Sequence, residues 1–363
     1  MITNQINKAP YSRISVTFSR IVNSTAWSIR ICNPLIFLSF LFLISCGNLR
    51  KQTNDNSVSM QPVGPAFCAD SAYLFCQKQC DFGPRTMNSK AHDDCEQWIM
   101  SKFQSYGMTV IPQKTVLQGY DGMSLRSTNI IASYKPELTS RILLCAHWDS
   151  RPWADNDPDE ANWHKPVMAA NDGASGVAVM LEIARLVNIC SKESPDSLAI
   201  GIDFICFDAE DYGYPQWETG IDPGDTWALG AQYWSVNPHK QGYTARFGIL
   251  LDMVGGQGAQ FYQEVMSKDY ARNIVDKVWK AASVVGYGSF FPKKEGIGIT
   301  DDHIPVNTVA KIPCIDIIPY YPHCEQSSFG PTWHTLNDDM AHIDKGSLQA
   351  VGQTIVQVLF SEQ

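Results

Sequence analysis

The sequence predicts a three-layer α/β/α fold with a mostly parallel central mixed sheet. Short runs of apolar and β-branched residues alternate along the chain with longer segments whose apolar residues recur at helical spacing. Runs such as RILLCA (141–146) are almost entirely apolar, as strands buried on both faces are. This alternation favours a sheet covered by helices on both sides. With 363 residues, 44% hydrophobic and 18% charged, the chain can bury such a core.

Residues 1–46 are predicted to be a lipoprotein signal peptide. Basic residues without any acid precede an apolar run over residues 34–45, which is short for a membrane span. The run ends in Leu43-Ile44-Ser45-Cys46, which resembles a bacterial lipobox. We therefore expect Cys46 to be acylated and to anchor an exported protein that faces the periplasm or cell surface of a bacterium. A plain signal peptide or a single-span anchor is the alternative.

Residues 47–66 are predicted to be a flexible tether, because they are polar and show no apolar period. Residues 67–363 are then expected to form one α/β catalytic domain. Helical patterns in this domain cover 89–106, 173–190, 268–285 and 347–360. Buried strands are expected around 141–146, 197–207, 247–253 and 311–319.

The cysteines predict disulfides. Cys145, Cys190 and Cys206 lie in apolar runs typical of buried thiols. An even set remains in polar or loop contexts, which in an exported protein suggests disulfide bonds of undetermined pairing. This set is Cys68, Cys76, Cys80, Cys95, Cys314 and Cys324. A metal site built from Cys76, Cys80 and His92 is the weaker alternative.

The charge balance excludes one class of partner. The formal net charge is −9, and the body of the chain has no cluster of Lys and Arg. Nucleic-acid surfaces need such clusters, so we expect no nucleic-acid binding. Small molecules or peptides are the expected substrates.

Three polar residues directly follow apolar strands. His147 ends one such run, and Glu210 and Asp211 follow the next within a few residues. Open α/β sheets form their ligand crevice at these strand ends, so the three side chains are expected to converge. Helix caps or turns would explain any one of these residues, but they explain the whole set poorly.

Asp172, Asp211 and His334 supply the residue types of a catalytic zinc site. Such a site takes three protein ligands and leaves a position for water or substrate, and we expect one ion per chain. Glu210 stands next to a ligand and suits a general acid/base, whose pKa nearby acids would raise. The nearby acids are Asp252, Asp301 and Asp316.

The motifs AHWDS, NDGASG, FDAED, LLDMVG, DDHIP and WHTLNDD, in this order, resemble the zinc-dependent glutaminyl cyclases of the animal type. The match spans most of 141–344. It implies the α/β fold that this family shares with zinc aminopeptidases. It also implies conversion of N-terminal glutamine in peptides and proteins to pyroglutamate, with release of ammonia.

The resemblance also implies residue roles. Asp172, Asp211 and His334 match the zinc ligands, and Glu210 matches the proton shuttle. Asp252 and Asp301 match its hydrogen-bond partners, Trp333 resembles the aromatic pocket wall, and Phe329 and Trp217 or Trp227 are further pocket candidates. Asp211 replaces the usual Glu and Asp316 replaces a His, as in bacterial relatives of the family.

Two rival functions stay open. His147 and Asp252 stand where related two-zinc aminopeptidases place a second metal, with Asp172 as the bridge, so hydrolysis of N-terminal residues is the main alternative. A catalytically inactive surface-binding lipoprotein is the third. His303, within DDHIP, is expected to contact the site residues rather than the substrate.

Overall fold

The computed structural model describes residues 61–220 and 226–362, which belong to one compact unit. The predicted signal peptide and the expected acylation site, Cys46, lie outside the described residues. Of the predicted tether, only residues 61–66 are described.

The core of the molecule is a six-stranded sheet in the order β1-β2-β4-β3-β5-β6. Strand β2 pairs antiparallel with β1 and β4, whereas the pairs β3–β4, β3–β5 and β5–β6 are parallel. The predicted mostly parallel mixed sheet is therefore confirmed. The strands are β1 (Thr109–Gln118), β2 (Ser124–Tyr134), β3 (Arg141–His147), β4 (Gly201–Phe207), β5 (Gly248–Leu251) and β6 (Cys314–Ile317).

Seven α-helices accompany the sheet in the described part of the chain. The four predicted helices correspond to α2, α3, α5 and α7, whereas α1, α4 and α6 are short or weakly periodic and were not expected. The helices are α1 (Ala69–Cys80), α2 (Lys90–Ser105), α3 (Ala174–Glu193), α4 (Leu229–Val236), α5 (Val265–Val284), α6 (His303–Thr308) and α7 (Lys345–Phe360).

Alternate residues of the strands face two separate cores, as the two-residue period of a strand requires. In β3, Ile142 and Leu144 belong to the larger core, which includes residues of α1, α2, α3, α5 and α7. Leu143 and Cys145 belong to the smaller core, beneath α4 and α6. Helix α3 is long and apolar enough to cross a membrane, but 72% of its apolar window is buried, so it is a core helix.

The antiparallel hairpin β1–β2 was not predicted from the sequence. Strand β1 is an edge strand with alternating exposed and half-buried residues, and it contains Pro112. Proline suits an edge strand because it cannot donate to a ladder, but it also weakens the sequence signal for a strand. The two parallel strands β3 and β4 are buried throughout, and their signal is clear.

Residues 61–66, the described part of the predicted tether, pack on α7. Gln357 accepts a hydrogen bond from the backbone N–H of Val63 at 2.7 Å, and Gln353 accepts one from Phe67 at 2.8 Å. Gly64, at φ +82°, lies so close to the helix that an added Cβ would meet Val356 at 2.8 Å. Ordered structure therefore begins before Phe67.

The disulfide prediction is wrong for the described residues. All nine cysteines there are free. Cys76, Cys80, Cys95 and Cys314 are buried within helices or strands, where they pack as small apolar side chains. No candidate metal group in the described part of the chain includes Cys76, Cys80 or His92.

Candidate active site and metal centre

The parallel strands deliver the site residues to one edge of the sheet. His147 is the last residue of β3, Glu210 and Asp211 follow the end of β4, and Asp252 follows the end of β5. All four lie at the carboxyl ends of neighbouring parallel strands, where His147, Glu210 and Asp211 were expected to converge.

Asp172 reaches the same place from the start of α3. It precedes Gly173, whose φ of +102° an L side chain rarely adopts. The carboxylate of Asp338 accepts hydrogen bonds from the N–H of Asn171 at 2.7 Å and of Asp172 at 3.0 Å. Two backbone bonds to one carboxylate therefore fix the turn that carries Asp172.

Asp172, Asp211 and His334 form a buried group whose ligand atoms all lie within 4.8 Å of one another. His334 Nε2 lies 3.2 Å from Asp211 Oδ1 and 3.6 Å from Asp172 Oδ2. Asp211 Oδ2 is buried and has no hydrogen-bond partner among the described residues. Two adjacent buried carboxylates and an imidazole suit a divalent cation. Such an ion would bind the unpaired oxygen of Asp211 and offset the repulsion between the carboxylates of Asp172 and Asp211.

A second group shares Asp172 with the first. His147 Nε2 lies 3.0 Å from Asp172 Oδ1 and 3.2 Å from Asp252 Oδ1, and the three residues are buried together. Asp172 therefore directs one oxygen towards each histidine. Burial, with the charges of Asp301 and Asp172, raises the pKa of Asp252 to about 7, although His147 opposes this shift.

A pocket of about 470 Å³ opens above the first group. Glu210 lines it beside Asp211 and Asp301. Burial raises the pKa of Glu210 well above its ordinary value, and the charges of Asp301 and Asp211 add to this effect, while His147 opposes it. The remaining walls are largely apolar: Trp227, Met253, Ile297, Gly298, Ile299, Ile318, Phe329 and Trp333.

Of the expected aromatic residues, Trp333 and Phe329 line the pocket, but Trp217 does not. The Trp217 ring stacks on Trp163 at 6.2 Å and packs against His164, to the side of the pocket. Trp227, the other candidate in this loop, lines the pocket instead, with its ring parallel to that of His334 at 6.0 Å.

Asp316 lies in β6 behind the pocket rather than in its lining. It forms a third buried group with Asp301 and His303, within the same 4.8 Å limit. Burial raises the pKa of Asp316 well above its ordinary value, as do the charges of Asp301 and Asp252. His303 Nε2 lies 3.5 Å from Glu264, so the group extends to the start of α5. Asp316 therefore lies behind the pocket-lining carboxylates Asp301 and Asp252, whose charges act on it.

The sequence analysis missed Asp149, although it belongs to the AHWDS motif. Its two oxygens accept hydrogen bonds from the N–H groups of Glu210 and Asp211, each at 3.1 Å. Oδ1 also lies 3.5 Å from His147 Nδ1. Asp149 thereby ties the end of β3 to the segment after β4. The motif itself was the signal that could have identified it.

The missed residues Arg151 and Asp155 support the metal group from the other side. Arg151 is bonded to Asp155 and to the backbone oxygen of Asp211, and Asp155 Oδ1 lies 3.5 Å from His334 Nδ1. The sequence carries no signal for this role, because Asp211 and His334, the site residues that Arg151 and Asp155 contact, lie far along the chain.

The backbone is strained at the site. Ala209 (φ +54°), Met253 (+49°) and His334 (+55°) adopt left-handed conformations that cost energy for residues other than glycine. Each lies in or beside the pocket lining. The surrounding hydrogen bonds therefore hold these residues in place against a local preference.

Residues 129–359 match the sequence profile of peptidase family M28. A crystal structure of Bacteroides thetaiotaomicron glutaminyl cyclase bound to N-acetylhistamine is 52% identical, with a TM-score of 0.79 over 83% of this chain and 100% of that chain. A leucine aminopeptidase precursor from Bacteroides thetaiotaomicron is also 52% identical, with a TM-score of 0.78 over 83% and 99%. The glutaminyl-peptide cyclotransferase of Gloydius blomhoffii is 23% identical over 287 residues, 73% of this chain and 74% of its own length.

Proposed function

The chain belongs to peptidase family M28 and is a relative of the bacterial glutaminyl cyclases, and on this basis we infer that it is a zinc-dependent glutaminyl-peptide cyclotransferase. Its substrates would be peptides and proteins with an N-terminal glutamine. The observation that carries this proposal is the juxtaposition of the group Asp172, Asp211 and His334 with the buried carboxyl of Glu210 in one largely apolar pocket.

Asp172, Asp211 and His334 would hold one zinc ion. Two carboxylates and one neutral imidazole balance most of its charge and leave a position for the substrate. Zinc held there would act as a Lewis acid on the side-chain amide carbonyl of the substrate glutamine.

Glu210 would carry the proton. The substrate α-amine attacks its own side-chain amide carbon, the new C–N bond closes the ring, and the bond to the amide nitrogen breaks. Glu210 accepts a proton from the attacking amine and returns it to the departing ammonia. Burial, the first cause, raises the pKa of Glu210 above its ordinary value, which makes the carboxylate a stronger base towards the amine.

The apolar walls would orient the substrate and exclude water. Trp227, Phe329 and Trp333 line the pocket together with residues 297–300. Intramolecular attack gains most from orientation, because both reacting groups belong to the same residue. Exclusion of water disfavours hydrolysis of the same amide.

In the test, the purified chain from Val58 onward is incubated with two peptides, one that begins with Gln and one that begins with Leu. We expect loss of one ammonia from the Gln peptide only, detected by mass spectrometry and by ammonia release. The Glu210→Gln variant should lower kcat by about 10²- to 10⁴-fold. An unchanged Gln peptide with zinc bound would refute the proposal.

Aminopeptidase activity is the second candidate. The group His147, Asp172 and Asp252 favours it, because Asp172 could bridge two metal ions, and the similar leucine aminopeptidase precursor points the same way. Release of free leucine in the same assay, with two zinc ions per chain, would establish it instead.

For the N-terminus we propose export and acylation. The apolar run and Leu43-Ile44-Ser45-Cys46 support a lipid-anchored protein facing the periplasm or cell surface. In a bacterial host, the full chain should partition into detergent, and Cys46→Ala should abolish both this partitioning and the incorporation of labelled fatty acid. Detergent partitioning that persists without label would instead indicate a single-span anchor.

A further inference from the structure

The loop after β3 contains a buried ion pair beside the metal group. Arg151 is 1% exposed and Asp155 is fully buried. Arg151 Nε and Nη2 donate parallel hydrogen bonds to the two oxygens of Asp155, both at 2.7 Å. This bidentate geometry fixes both side chains, because two parallel bonds leave neither group free to rotate.

Arg151 also contacts the segment that carries Asp211. Nη1 donates to the backbone oxygen of Asp211 at 3.0 Å and of Gly213 at 3.3 Å, and it lies 3.5 Å from Asp211 Oδ1. The guanidinium packs over the ring of Trp227 at 4.7 Å. Arg151 therefore places a permanent positive charge next to one carboxylate of the metal group and holds its backbone.

Asp155 contacts the histidine of the same group. Its Oδ1 lies 3.5 Å from His334 Nδ1, while His334 Nε2 faces Asp211 at 3.2 Å and Asp172 at 3.6 Å. A carboxylate on the outer nitrogen keeps the proton on Nδ1 and leaves Nε2 free to bind a metal. The backbone N–H of Asn156 donates to the His334 carbonyl at 3.0 Å, so the same loop also holds the strained backbone of His334.

We propose that Arg151 and Asp155 are positioning residues that set the zinc affinity of the site, by fixing Asp211 and His334 relative to each other. This inference rests on the zinc site of the proposed function. Asp211 and His334 come from distant parts of the chain, and the Arg151–Asp155 pair contacts both of them. The pair also limits the charge repulsion that Asp211 experiences from Asp172.

The molecule contains a matched control for a purely structural ion pair. Arg141 and Asp203 form a buried bidentate pair of the same kind, with bonds of 2.6 and 2.7 Å, and neither is more than 5% exposed. Arg141 is the first residue of β3, at the end of the strand away from His147. Breaking this pair should reduce stability without affecting the metal group.

The test measures zinc affinity by competition with a chromophoric chelator, and it measures thermal unfolding of the same samples. Asp155→Asn should weaken zinc binding by about 10- to 100-fold. Asp155→Asn and Asp203→Asn should lower the melting temperature to a similar extent. Asp203→Asn should leave the zinc affinity unchanged. The visible spectrum of the cobalt-substituted protein should change in Asp155→Asn alone, because His334 loses its orientation.

Arg151→Lys provides a second variant, which keeps the positive charge but cannot form the bidentate pair. We expect it to fold and to lose less zinc affinity than Asp155→Asn. The proposal is refuted if Asp155→Asn binds zinc as the parent does, or if Asp203→Asn weakens binding equally. It is also refuted if Asp155→Asn and Arg151→Lys both fail to fold while Asp203→Asn folds, since the pair would then be structural.

Zinc affinity does not depend on the reaction that the enzyme catalyses. If the parent binds zinc tightly but does not cyclise a Gln peptide, the proposed function fails and the effect of Asp155→Asn on zinc still decides this inference. If cyclisation is established and Asp155→Asn leaves zinc affinity unchanged, the inference alone fails.

Discussion

At the residue scale, carboxylates at the site differ in task according to what they contact. Glu210 and Asp211 face the pocket, whereas Asp149 and Asp338 accept backbone N–H groups behind it. Asp316 is outside the pocket lining and is grouped with Asp301 and His303. Residue type alone cannot separate these tasks, because a carboxylate is equally suited to bind a metal, to transfer a proton or to hold a turn.

We expect Asp149→Ala to impair both stability and catalysis. It leaves the N–H groups of Glu210 and Asp211 without their acceptor, and each buried unsatisfied donor costs about 1–3 kcal/mol. Denaturant unfolding should show this loss, and kcat for a Gln peptide should fall because Glu210 is no longer held in place.

Asp344→Ala is the control for this variant. Asp344 accepts two N–H groups, from Gly346 and Ser347 at 3.0 Å each, at the start of α7 and outside the pocket lining. Its loss should cost about 1 kcal/mol of stability and leave kcat of the folded enzyme unchanged. Equal kcat losses in the two variants would contradict the role given to Asp149.

At the element scale, α3 reaches the site because Gly176 lets it approach the sheet. A Cβ at this position would lie 2.1 Å from the Leu251 carbonyl oxygen and 2.8 Å from Ala146. Gly176→Ala should therefore push the helix start, and Asp172 with it, away from β3 and β5. We expect a loss of about 1–3 kcal/mol in unfolding free energy or more, measured by denaturant titration.

Gly296→Ala provides the comparison for Gly176. The nearest atom to a Cβ there is 3.4 Å away, an ordinary contact, and the backbone is not left-handed. Its stability should stay within about 0.5 kcal/mol of the parent. A harmless Gly176→Ala would show that α3 does not need this close approach.

The start of α5 should make stability depend on pH. Glu264 accepts hydrogen bonds from the N–H groups of Met266 and Ile299, which ties α5 to the pocket wall. Burial alone would raise the pKa of Glu264, but His303 and the bonded N–H groups hold it below the ordinary value. The stabilisation is therefore complete above the unfolded pKa of about 4.3 and is lost as pH falls through the lower folded pKa.

Glu264→Gln isolates this effect. The stability difference between parent and variant should be constant near neutral pH and should shrink as the pH is lowered below about 4.3. Chemical unfolding at a series of pH values measures it. A difference that does not vary with pH would mean that the carboxylate charge of Glu264 contributes nothing.

The sequence predicted those elements whose signal is local. Strands β3 and β4 are buried throughout and were recognisable as apolar runs, as were the helices with a long apolar period. The edge strand β1 was not, because six of its ten residues are exposed and Pro112 weakens its strand signal. Asp211 was expected at the site because it follows a strand, and Asp172 and His334 because their motifs resemble those of the glutaminyl cyclases.

Interactions that exist only in three dimensions were not predictable from the sequence. The contact of Asp155 with His334 joins positions 179 residues apart, and no spacing rule relates them. Trp217 and Trp227 belong to the same loop. Only the folded structure shows that the Trp227 ring lines the pocket and that the Trp217 ring packs beside it on Trp163.

At the scale of the whole molecule, the fold is expected to survive removal of zinc. The two largest hydrophobic cores lie on the faces of the sheet, and the metal group lies at its carboxyl edge and contributes to neither. The apolar burial that stabilises the domain therefore does not need the ion. Treatment with a chelator should abolish cyclisation of a Gln peptide and leave the far-ultraviolet circular dichroism spectrum unchanged.

The melting temperature should respond to zinc by mass action. An ion that binds only the folded chain adds about 2.7 kcal/mol at a concentration 100 times its dissociation constant, so zinc should restore the melting temperature that the chelator lowers. Native mass spectrometry should count one ion per chain, because one ion held by Asp172, Asp211 and His334 suffices for the proposed reaction. Unfolding on chelation would show that the site is part of the core, and two ions would favour the aminopeptidase.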